Sequence, residues 1–495
     1  MRLSTPTQNT KKNENNTEWA AEEFADVDLG DGRLNRRLIK LCDRFSDSPE
    51  SPINQACEDW AETKAAYRFF QNEKVDSSAI MAVHREKTAR RAETHGTILA
   101  VQDTSYFIYT NHPETKGLGE ISLKKGKNVK EIYSRGLVMH ACLAVTTEGL
   151  PLGLLSQKIF ARKGPSTRAK AGASNRLPIE EKESYRWLES LRSTEEAVSD
   201  SRVVTVCDRE SDIYDFFKLS NELESPVLVR ASADRTINRK SRYAEKDVVK
   251  LWAHVGKLPA TGTYQVEVPR KSKSKHSSAR QARSATVTVR FGPFRLNPPR
   301  NHPKQRSENL PDVEMTAIHV LEENPPEGEE GIEWMLLTNL KVDSFEEACE
   351  KIRWYGLRWR IEMFFKVIKS GLRVEACRLA HGERLARYLT IMSIVAWRLF
   401  MITIIGRTDP KQCCASLLTR NQWKILISKT TRRSDIPDKP PTIEEAVACI
   451  AKLGGHLGRK GDGPPGTLTL WRGWKRLIAL VEGAELANSI DHTCG

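Results

Sequence analysis

Two segments decide the fold: TILAVQD at residues 97–103 and RVVTVCD at residues 202–208. Each is a short apolar run that closes on an aspartate, which is typical of a buried strand followed by a turn. Ligand sites in open α/β sheets form beyond the carboxyl ends of the strands. We therefore predict that Asp103 and Asp208 end two strands and lie at a common edge. Taken singly, each aspartate could instead begin a turn or cap a helix.

Strand and helix patterns alternate around these two segments. Residues 136–162 have a hairpin pattern with its turn at 147–149, and a charged helical pattern at 179–192 precedes the second aspartate. A helical pattern and one more apolar strand, at 225–231, follow it. This alternation predicts an α/β core with a mixed sheet and flanking helices.

The third informative segment is WYGLRWRIEMFFKVIKSG, in which Tyr355, Arg358, Glu362 and Lys369 have the spacing Y-x2-R-x3-E-x6-K. On one helix, at about 100° per residue, these four side chains fall within roughly 60° of one another, and Lys366 lies on the same side. An acid flanked by cations can bind a metal ion while the cations bind phosphate. The alternative is a solvated helix face with an Arg–Glu pair that contributes a few tenths of a kcal/mol.

Three acids in a basic chain suit phosphodiester cleavage. Carboxylates are preferred ligands of Mg²⁺, and two ions held by shared carboxylates can activate a nucleophile and stabilise a leaving oxygen. We therefore expect two Mg²⁺ ions per active site, with Mn²⁺ as a possible substitute. The sequence shows no Ser/His/Asp, Cys/His, phosphate-loop or His–Glu zinc motif that would compete with this interpretation.

Composition favours an intracellular protein with a polyanionic partner. The chain has 495 residues, enough for about three domains, and 78 Lys and Arg against 64 Asp and Glu give a net charge of +14. The ten cysteines lack zinc-site spacing, and no apolar run opens the chain. The apolar segment 388–405 contains Arg398, so we predict a buried core helix there and a cytoplasmic protein.

The chain resembles the DDE-type transposases of bacterial insertion sequences over nearly its whole length. The motifs that carry this resemblance are LGDGRLNRR, ETKAAYRFF, TILAVQDTS, VVTVCDRESDIY, WMLLTNLKVDSFEEA, the Y-R-E-K segment, IAKLGGHLG and LWRGWKRL. The resemblance implies a ribonuclease-H-like catalytic core with a β-stranded insertion, and helical N-terminal and C-terminal domains. It makes Asp103, Asp208 and Glu362 the catalytic, metal-binding triad.

The same resemblance implies roles in DNA binding. Tyr355, Arg358 and Lys369 would contact phosphate near the cleavage site, with Lys366 beside them. Trp334 corresponds to the position that stabilises a base flipped out of the transposon end, since stacking offsets part of the unstacking cost. Ordinary core packing is an equally good interpretation of this tryptophan.

The implied activity is cut-and-paste DNA transposition. It comprises nicking at the transposon ends, attack of the freed 3′-hydroxyl on the opposite strand to form a hairpin, hairpin opening and strand transfer into target DNA. The implied partners are transposon-end and target duplexes, and a second copy of the chain in a homodimer that bridges two ends near the bacterial nucleoid. The region 444–483, with Trp471 and Trp474, is the candidate dimer surface.

These observations divide the chain into expected parts. Residues 270–306 contain eleven Lys or Arg and no acid, and we expect a mobile basic loop that adds contacts to DNA. The expected division is a disordered tail 1–17, a helical DNA-binding domain 18–90, a catalytic core 91–233 and 334–406, a β-rich insertion 234–333, and a helical dimerisation domain 407–495.

Two alternatives to the transposase remain open at this point. One is a catalytically inert DNA-binding regulator that inhibits transposition, although all three acids are intact. The other is a structure-specific nuclease with a ribonuclease-H-like fold, which the additional N-terminal and C-terminal domains disfavour.

Overall fold

The computed structural model describes residues 18–126, 129–162, 177–198, 201–238, 249–268, 280–306, 309–432, 438–459, 462–463 and 465–491. The predicted tail 1–17 and the first part of the expected basic loop, 270–279, lie outside these residues.

Helices occupy both ends of the described chain and flank a sheet. The helices are α1 (Glu18–Glu23), α2 (Gly32–Asp47), α3 (Ile53–Ala56), α4 (Trp60–Gln71), α5 (Ser77–Ala92), α6 (Tyr185–Ala197), α7 (Tyr214–Glu222), α8 (Leu251–Gly256), α9 (Phe345–Leu357), α10 (Trp359–Lys366), α11 (Gly382–Thr408), α12 (Arg420–Thr431), α13 (Ile443–Leu453) and α14 (Thr467–Asp491). The strands are β1 (Thr97–Ile108), β2 (Gly119–Gly126), β3 (Val129–Thr146), β4 (Pro151–Phe160), β5 (Arg202–Cys207), β6 (Val227–Arg230), β7 (Thr236–Ile237), β8 (Val249–Lys250), β9 (Gly262–Val268), β10 (Arg283–Leu296), β11 (Val313–Leu321) and β12 (Glu333–Thr338).

The strands form one mixed sheet, as the alternating patterns predicted. Its order is β2-β3-β1-β5-β6-β12-β11-β10-β7-β8, with β4 paired to β3 and β9 paired to β10. Strand β1 is antiparallel to β3 and parallel to β5, and β6 is parallel to β5 but antiparallel to β12. The predicted hairpin is the β3–β4 pair, and its turn lies between Thr146 and Pro151.

The prediction that both aspartates end their strands is correct for one of them. Strand β5 ends at Cys207, directly before Asp208. Strand β1 instead continues past Asp103 to Ile108. The physical reason is the antiparallel partner β3, which pairs with β1 from Ile98 to Ile108 and so supplies hydrogen bonds beyond the point where β5 stops.

The expectation of a loop over 270–306 is wrong for residues 283–296, which form the long strand β10 and include ATVTVRF, a segment with a strand pattern. Val287 and Val289 alternate with polar residues and are fully buried, which is a strand pattern. Arg283 forms ion pairs with Glu322 and Glu329, so these charges are balanced within the chain. The β-rich segment therefore extends the same sheet that carries the two aspartates.

Helix α11 lies in the core, as predicted for the apolar segment. By length and composition it is the one helix in the described part of the chain that could cross a membrane, and 83% of its apolar window is buried inside the protein. The guanidinium of Arg398 lies 5.8 Å from the ring centre of Trp19, so α11 packs directly against the N-terminal helices.

A buried polar network joins the N-terminal helices to the sheet. The backbone N–H of Leu154 on β4 donates to Nε2 of His84, which leaves Nδ1 to donate to Glu23 at 2.5 Å. Arg91 donates to the other oxygen of Glu23 at 2.8 Å. Burial alone would raise the pKa of Glu23, but His84 and Arg91 hold it at about 2. The network therefore fixes α1 and α5 on β4 with a charged glutamate.

The C-terminal helices differ from the expected dimer surface at one tryptophan. Trp471 is 5% exposed, and a Cβ atom added at Gly371 would lie 2.5 Å from its indole ring. This ring therefore packs inside the chain instead of forming part of an exposed face. Trp474 is partly buried beside the same core.

Asp43 is an unusual buried acid on α2. It is 8% exposed, and both of its carboxylate oxygens lack a hydrogen-bond partner. Burial raises the pKa of Asp43 to about 8, the neighbouring charge of Asp47 contributes to the increase, and Arg44 opposes it. The folded chain therefore holds a proton on Asp43 well above the pH at which the unfolded chain loses it.

We predict that Asp43→Asn stabilises the protein at high pH. The unfolded carboxyl ionises near pH ~4, so wild-type stability falls as pH rises from there towards 8, whereas asparagine carries no such penalty. Thermal unfolding should give a higher midpoint for Asp43→Asn at pH 8, with a difference that narrows towards pH 4. Asp26→Asn is the control, since Asp26 is exposed and paired with Lys87. Parallel pH profiles for wild type and Asp43→Asn would contradict the prediction.

Candidate active site

The first two acids lie side by side because of strand register. Residues 97–101 of β1 pair with residues 202–206 of the parallel strand β5, and two more residues in the same register bring Asp103 level with Asp208. Each carboxylate is held by a backbone N–H: Thr104 donates to Asp103 at 2.7 Å, and Glu210 donates to Asp208 at 2.8 Å. The two side chains are thus positioned by the sheet and by the turn after β5.

Arg358 connects the third acid, Glu362, with the first, Asp103. Arg358 lies 3.6 Å from Asp103 and donates to Glu362 on α10 at 2.5 Å. The inner face of α10 carries the buried residues Ile361 and Phe364, which hold this helix on the core. A single guanidinium therefore bridges an acid of the sheet and an acid of the helix.

Burial and the charges of both other acids affect the pKa of Asp103. Burial raises this pKa to about 7, and the charges of Asp208 and Glu362 also raise it. The Thr104 N–H and the Arg358 guanidinium act in the opposite direction. The three carboxylates, predicted from distant parts of the sequence, therefore share one electrostatic environment.

The donor set fits a hard divalent cation in its chemistry, because carboxylate oxygens are the ligands that Mg²⁺ prefers. The three carboxylates are not spaced as in a formed metal site. Among the described residues, no three His, Cys, Asp or Glu side chains lie close enough together to hold a metal ion. The arginine that bridges Asp103 and Glu362 balances their charge in this arrangement.

The prediction of one regular helix through the Y-R-E-K residues is wrong. Helix α9 ends at Leu357, α10 begins after Arg358, and a π-helical turn at Val367–Gly371 carries Lys369. Because a π-turn has a wider repeat, Lys369 leaves the face predicted at 100° per residue. Its ammonium lies 5.3 Å from the ring centre of Phe107, four residues along β1 from Asp103. Lys366 is exposed at the end of α10.

Trp334 lines a cavity beside the acids. Its ring packs edge-on against Tyr355, with 5.2 Å between ring centres, and Tyr355 is 5% exposed. The two rings form part of a cavity of about 600 Å³ whose wall also includes Arg358 and the half-exposed Trp359. Trp334 is therefore half-buried at a cavity wall.

Arg230 also lines this cavity, and its sequence pattern did not single it out. Arg230 is the last residue of β6, the strand next to β5, and it donates to the backbone oxygen of Glu333 at 2.9 Å. Burial lowers its pKa, and the hydroxyl of Tyr355 lies within its reach. The signal was available, because an arginine at the carboxyl end of a strand adjacent to Asp208 falls under the same edge rule that selected the aspartates.

Comparison with known proteins gives matches at both ends of the chain. Residues 16–75 match the family model for transposase DNA-binding, and residues 394–494 match the model for the transposase Tn5 dimerisation domain. Among solved structures, the chain is similar to piggyBac transposase, seen in a synaptic complex with hairpin DNA, with 9% identity and a TM-score of 0.31. That similarity covers 82% of this chain and 57% of the other, so the chain spans little more than half of that protein. At this TM-score the likeness supports no conclusion.

The two family matches agree with the resemblance that the motifs indicated. They lie outside the segments that carry Asp103, Asp208 and Glu362, so they are independent of the acids. Together, the DNA-binding match and the Tn5 dimerisation match support a Tn5-like transposase.

Proposed function

We propose that the chain is a DDE transposase that moves DNA by cutting and pasting. It nicks each transposon end, and the freed 3′-hydroxyl attacks the opposite strand to form a hairpin. The hairpin is then opened and its 3′ end is joined to target DNA. The observation that supports this proposal best is the grouping of Asp103 and Glu362 on either side of Arg358, with Asp208 level with Asp103 on the adjacent strand.

The catalytic core is proposed to be ribonuclease-H-like. Support comes from the mixed sheet, in which β1 has an antiparallel neighbour on one side and a parallel neighbour on the other. The acids lie on β1, directly after β5 and on a helix packed against β1, so one sheet and one helix position the whole set.

Asp103, Asp208 and Glu362 are proposed to hold two Mg²⁺ ions, or Mn²⁺ in their place. Bound ions of this kind activate an attacking oxygen and stabilise the charge of a leaving oxygen. The three carboxylates would be the ligands of these ions. The backbone N–H groups of Thr104 and Glu210 each orient one carboxylate oxygen, of Asp103 and Asp208 respectively. Arg358 neutralises the acids in the free chain and donates to a phosphate oxygen when DNA occupies the site.

The DNA strand is proposed to follow the cavity beside the acids. Tyr355, Arg358 and Lys369 contact phosphate, and Lys366 adds a cation on the exposed end of α10. Trp334 stacks on a base extruded from the transposon end. The cavity supports this role, because aromatic and cationic walls are the combination that binds unstacked nucleotides.

The two terminal domains are proposed to bind the partners, which are DNA and a second copy of the chain. Residues 16–75 bind the transposon-end repeats, and the C-terminal domain joins two copies of the chain so that the dimer bridges both ends. The exposed basic residues of α2, among them Arg33 and Lys40, suit the phosphate backbone of duplex DNA. Such a protein acts in the cytoplasm, at the nucleoid.

We predict that Asp103→Asn, Asp208→Asn and Glu362→Gln each reduce strand cleavage more than about 100-fold while DNA binding is retained. Each change removes a proposed metal ligand, and even residues that only orient such ligands are worth about 10–100-fold. The measurement is Mg²⁺-dependent nicking of a duplex that carries the terminal repeats of the element, with affinity determined by gel shift. Glu346→Gln, an exposed acid in the first turn of α9, is the matched control.

The same assay separates the competing functions. A wild-type chain that binds the repeats and never nicks them would be a regulator, and the proposal would fail. Simple cuts without hairpins or joined 3′ ends would indicate a nuclease. Normal cleavage by any of the three amide variants would remove that acid from the active site.

We predict that Trp334→Ala reduces hairpin formation by about 10-fold or more and leaves first-strand nicking within about twofold. Stacking on an extruded base contributes roughly 1–3 kcal/mol, and that contribution is needed only when the base leaves the duplex. Denaturing gels that resolve nicked and hairpin products make the measurement. Trp334→Phe keeps an aromatic ring against Tyr355 and should retain most hairpin product. Equal losses of nicking and hairpin formation would instead indicate that Trp334 acts in packing.

A further inference from the structure

Arg186 is a buried cation directly behind the two strand aspartates. It lies in the first turn of α6, its side chain is 7% exposed, and the sequence pattern had placed it only in a charged helix. All three of its nitrogens donate hydrogen bonds: to Thr104 Oγ1 at 3.0 Å, to the backbone oxygen of Glu183 at 2.8 Å and to Glu210 Oε2 at 2.7 Å.

Two of these partners are the residues that hold the aspartates. The backbone N–H of Thr104 donates to the carboxylate of Asp103, and the backbone N–H of Glu210 donates to the carboxylate of Asp208. One guanidinium therefore ties together the two residues whose N–H groups orient the two carboxylates.

This tie lies where the sheet no longer connects the two segments. The parallel pairing of β1 with β5 ends at Val101 and Val206, two residues before each aspartate. Beyond that point the chain after β5 turns away into a short 3₁₀ segment, Arg209–Ser211. Arg186 replaces the missing ladder hydrogen bonds with a side-chain bridge across the gap.

Buried neighbours restrict the movement of Thr104 and Arg186 in this hydrogen-bond bridge. Thr104 Oγ1 also lies 2.9 Å from Nδ1 of His140, which is 1% exposed and packs edge-on against Trp187 with 4.6 Å between ring centres. The planar guanidinium presents its donors in a fixed fork, which a lysine ammonium cannot reproduce. Arg186 is thus held in one geometry by buried neighbours on β3 and α6.

We propose that Arg186 is a positioning residue for the proposed phosphoryl-transfer reaction, because its bridge from Thr104 to Glu210 sets the separation of the Asp103 and Asp208 carboxylates. This inference rests on the proposed function. It assigns Arg186 no contact with DNA, so its effect is on metal dependence and turnover and leaves affinity for the repeats unchanged.

The test compares Arg186→Gln and Arg186→Lys with Arg192→Gln, an exposed arginine on the same helix. Arg186→Gln should lower single-turnover nicking by about 10–100-fold and raise the half-saturating Mg²⁺ concentration, as expected for loss of a group that orients metal ligands. DNA affinity should stay within about twofold. Arg186→Lys should recover part of the loss, because an ammonium can reach one partner of the pair, and Arg192→Gln should behave as wild type.

Glu210→Ala provides a second variant that keeps the fold, since the Glu210 side chain is 52% exposed, and it removes the oxygen that accepts from Arg186. It should shift the Mg²⁺ dependence in the same direction, and its effect should not add to that of Arg186→Gln, because both changes break one bridge. Additive effects of the two changes would overturn the inference.

The outcomes for the inference and for the proposed function are distinct. A wild-type chain that does not cut DNA overturns the proposed function. A wild-type chain that cuts, with an Arg186→Gln variant that has normal Mg²⁺ dependence, overturns the positioning role alone. A parallel loss of turnover and DNA affinity also overturns it, because that result indicates contact with DNA or general loss of structure.

Discussion

The candidate site depends on the register of two parallel strands. Because β1 and β5 pair from 97 with 202 to 101 with 206, the sheet brings Asp103 and Asp208 to the same level. Burial disfavours the charged form of Asp103, and the neighbouring charge of Asp208 adds to that cost, so a nearby cation stabilises the arrangement. Burial and the charge of Asp208 raise the pKa of Asp103 to about 7.

One arginine opposes this repulsion, and a second contacts the residues beside the aspartates. Arg358 contacts Asp103 and Glu362 from the helix side, and Arg186 reaches the neighbours of both aspartates from behind the sheet. The two cations differ in freedom, because Arg186 is fixed by three hydrogen bonds in a buried setting whereas Arg358 borders an open cavity. Of the two, Arg358 is therefore the one placed to exchange its partners for a ligand in the cavity.

The sequence predicted β1, the β3–β4 hairpin, β5, β6 and most helices, because apolar runs are local signals. It also singled out the three acids, whose catalytic role stays a prediction. It did not predict that β1 continues to Ile108, since that depends on pairing with β3, which is a long-range contact. The π-turn at Lys369 shows no pattern that differs from a regular helix. Arg186 and Arg230 were not predicted either. An arginine inside a charged helix or at a strand end has no distinctive local pattern, and its role depends on the partners that it contacts in the folded chain. The basic character of 280–306 was misleading, since Arg283 is neutralised by Glu322 and Glu329 in the segment between β11 and β12.

The contact between Gly371 and Trp471 couples two regions that the sequence treats as separate. Gly371 ends the π-turn that follows the Glu362 helix, and Trp471 belongs to the segment that matches a dimerisation domain. No atom larger than hydrogen fits between the backbone of one and the indole of the other. A displacement of the Trp471 ring towards Gly371 would therefore press on the backbone at the end of the π-turn that follows the Glu362 helix.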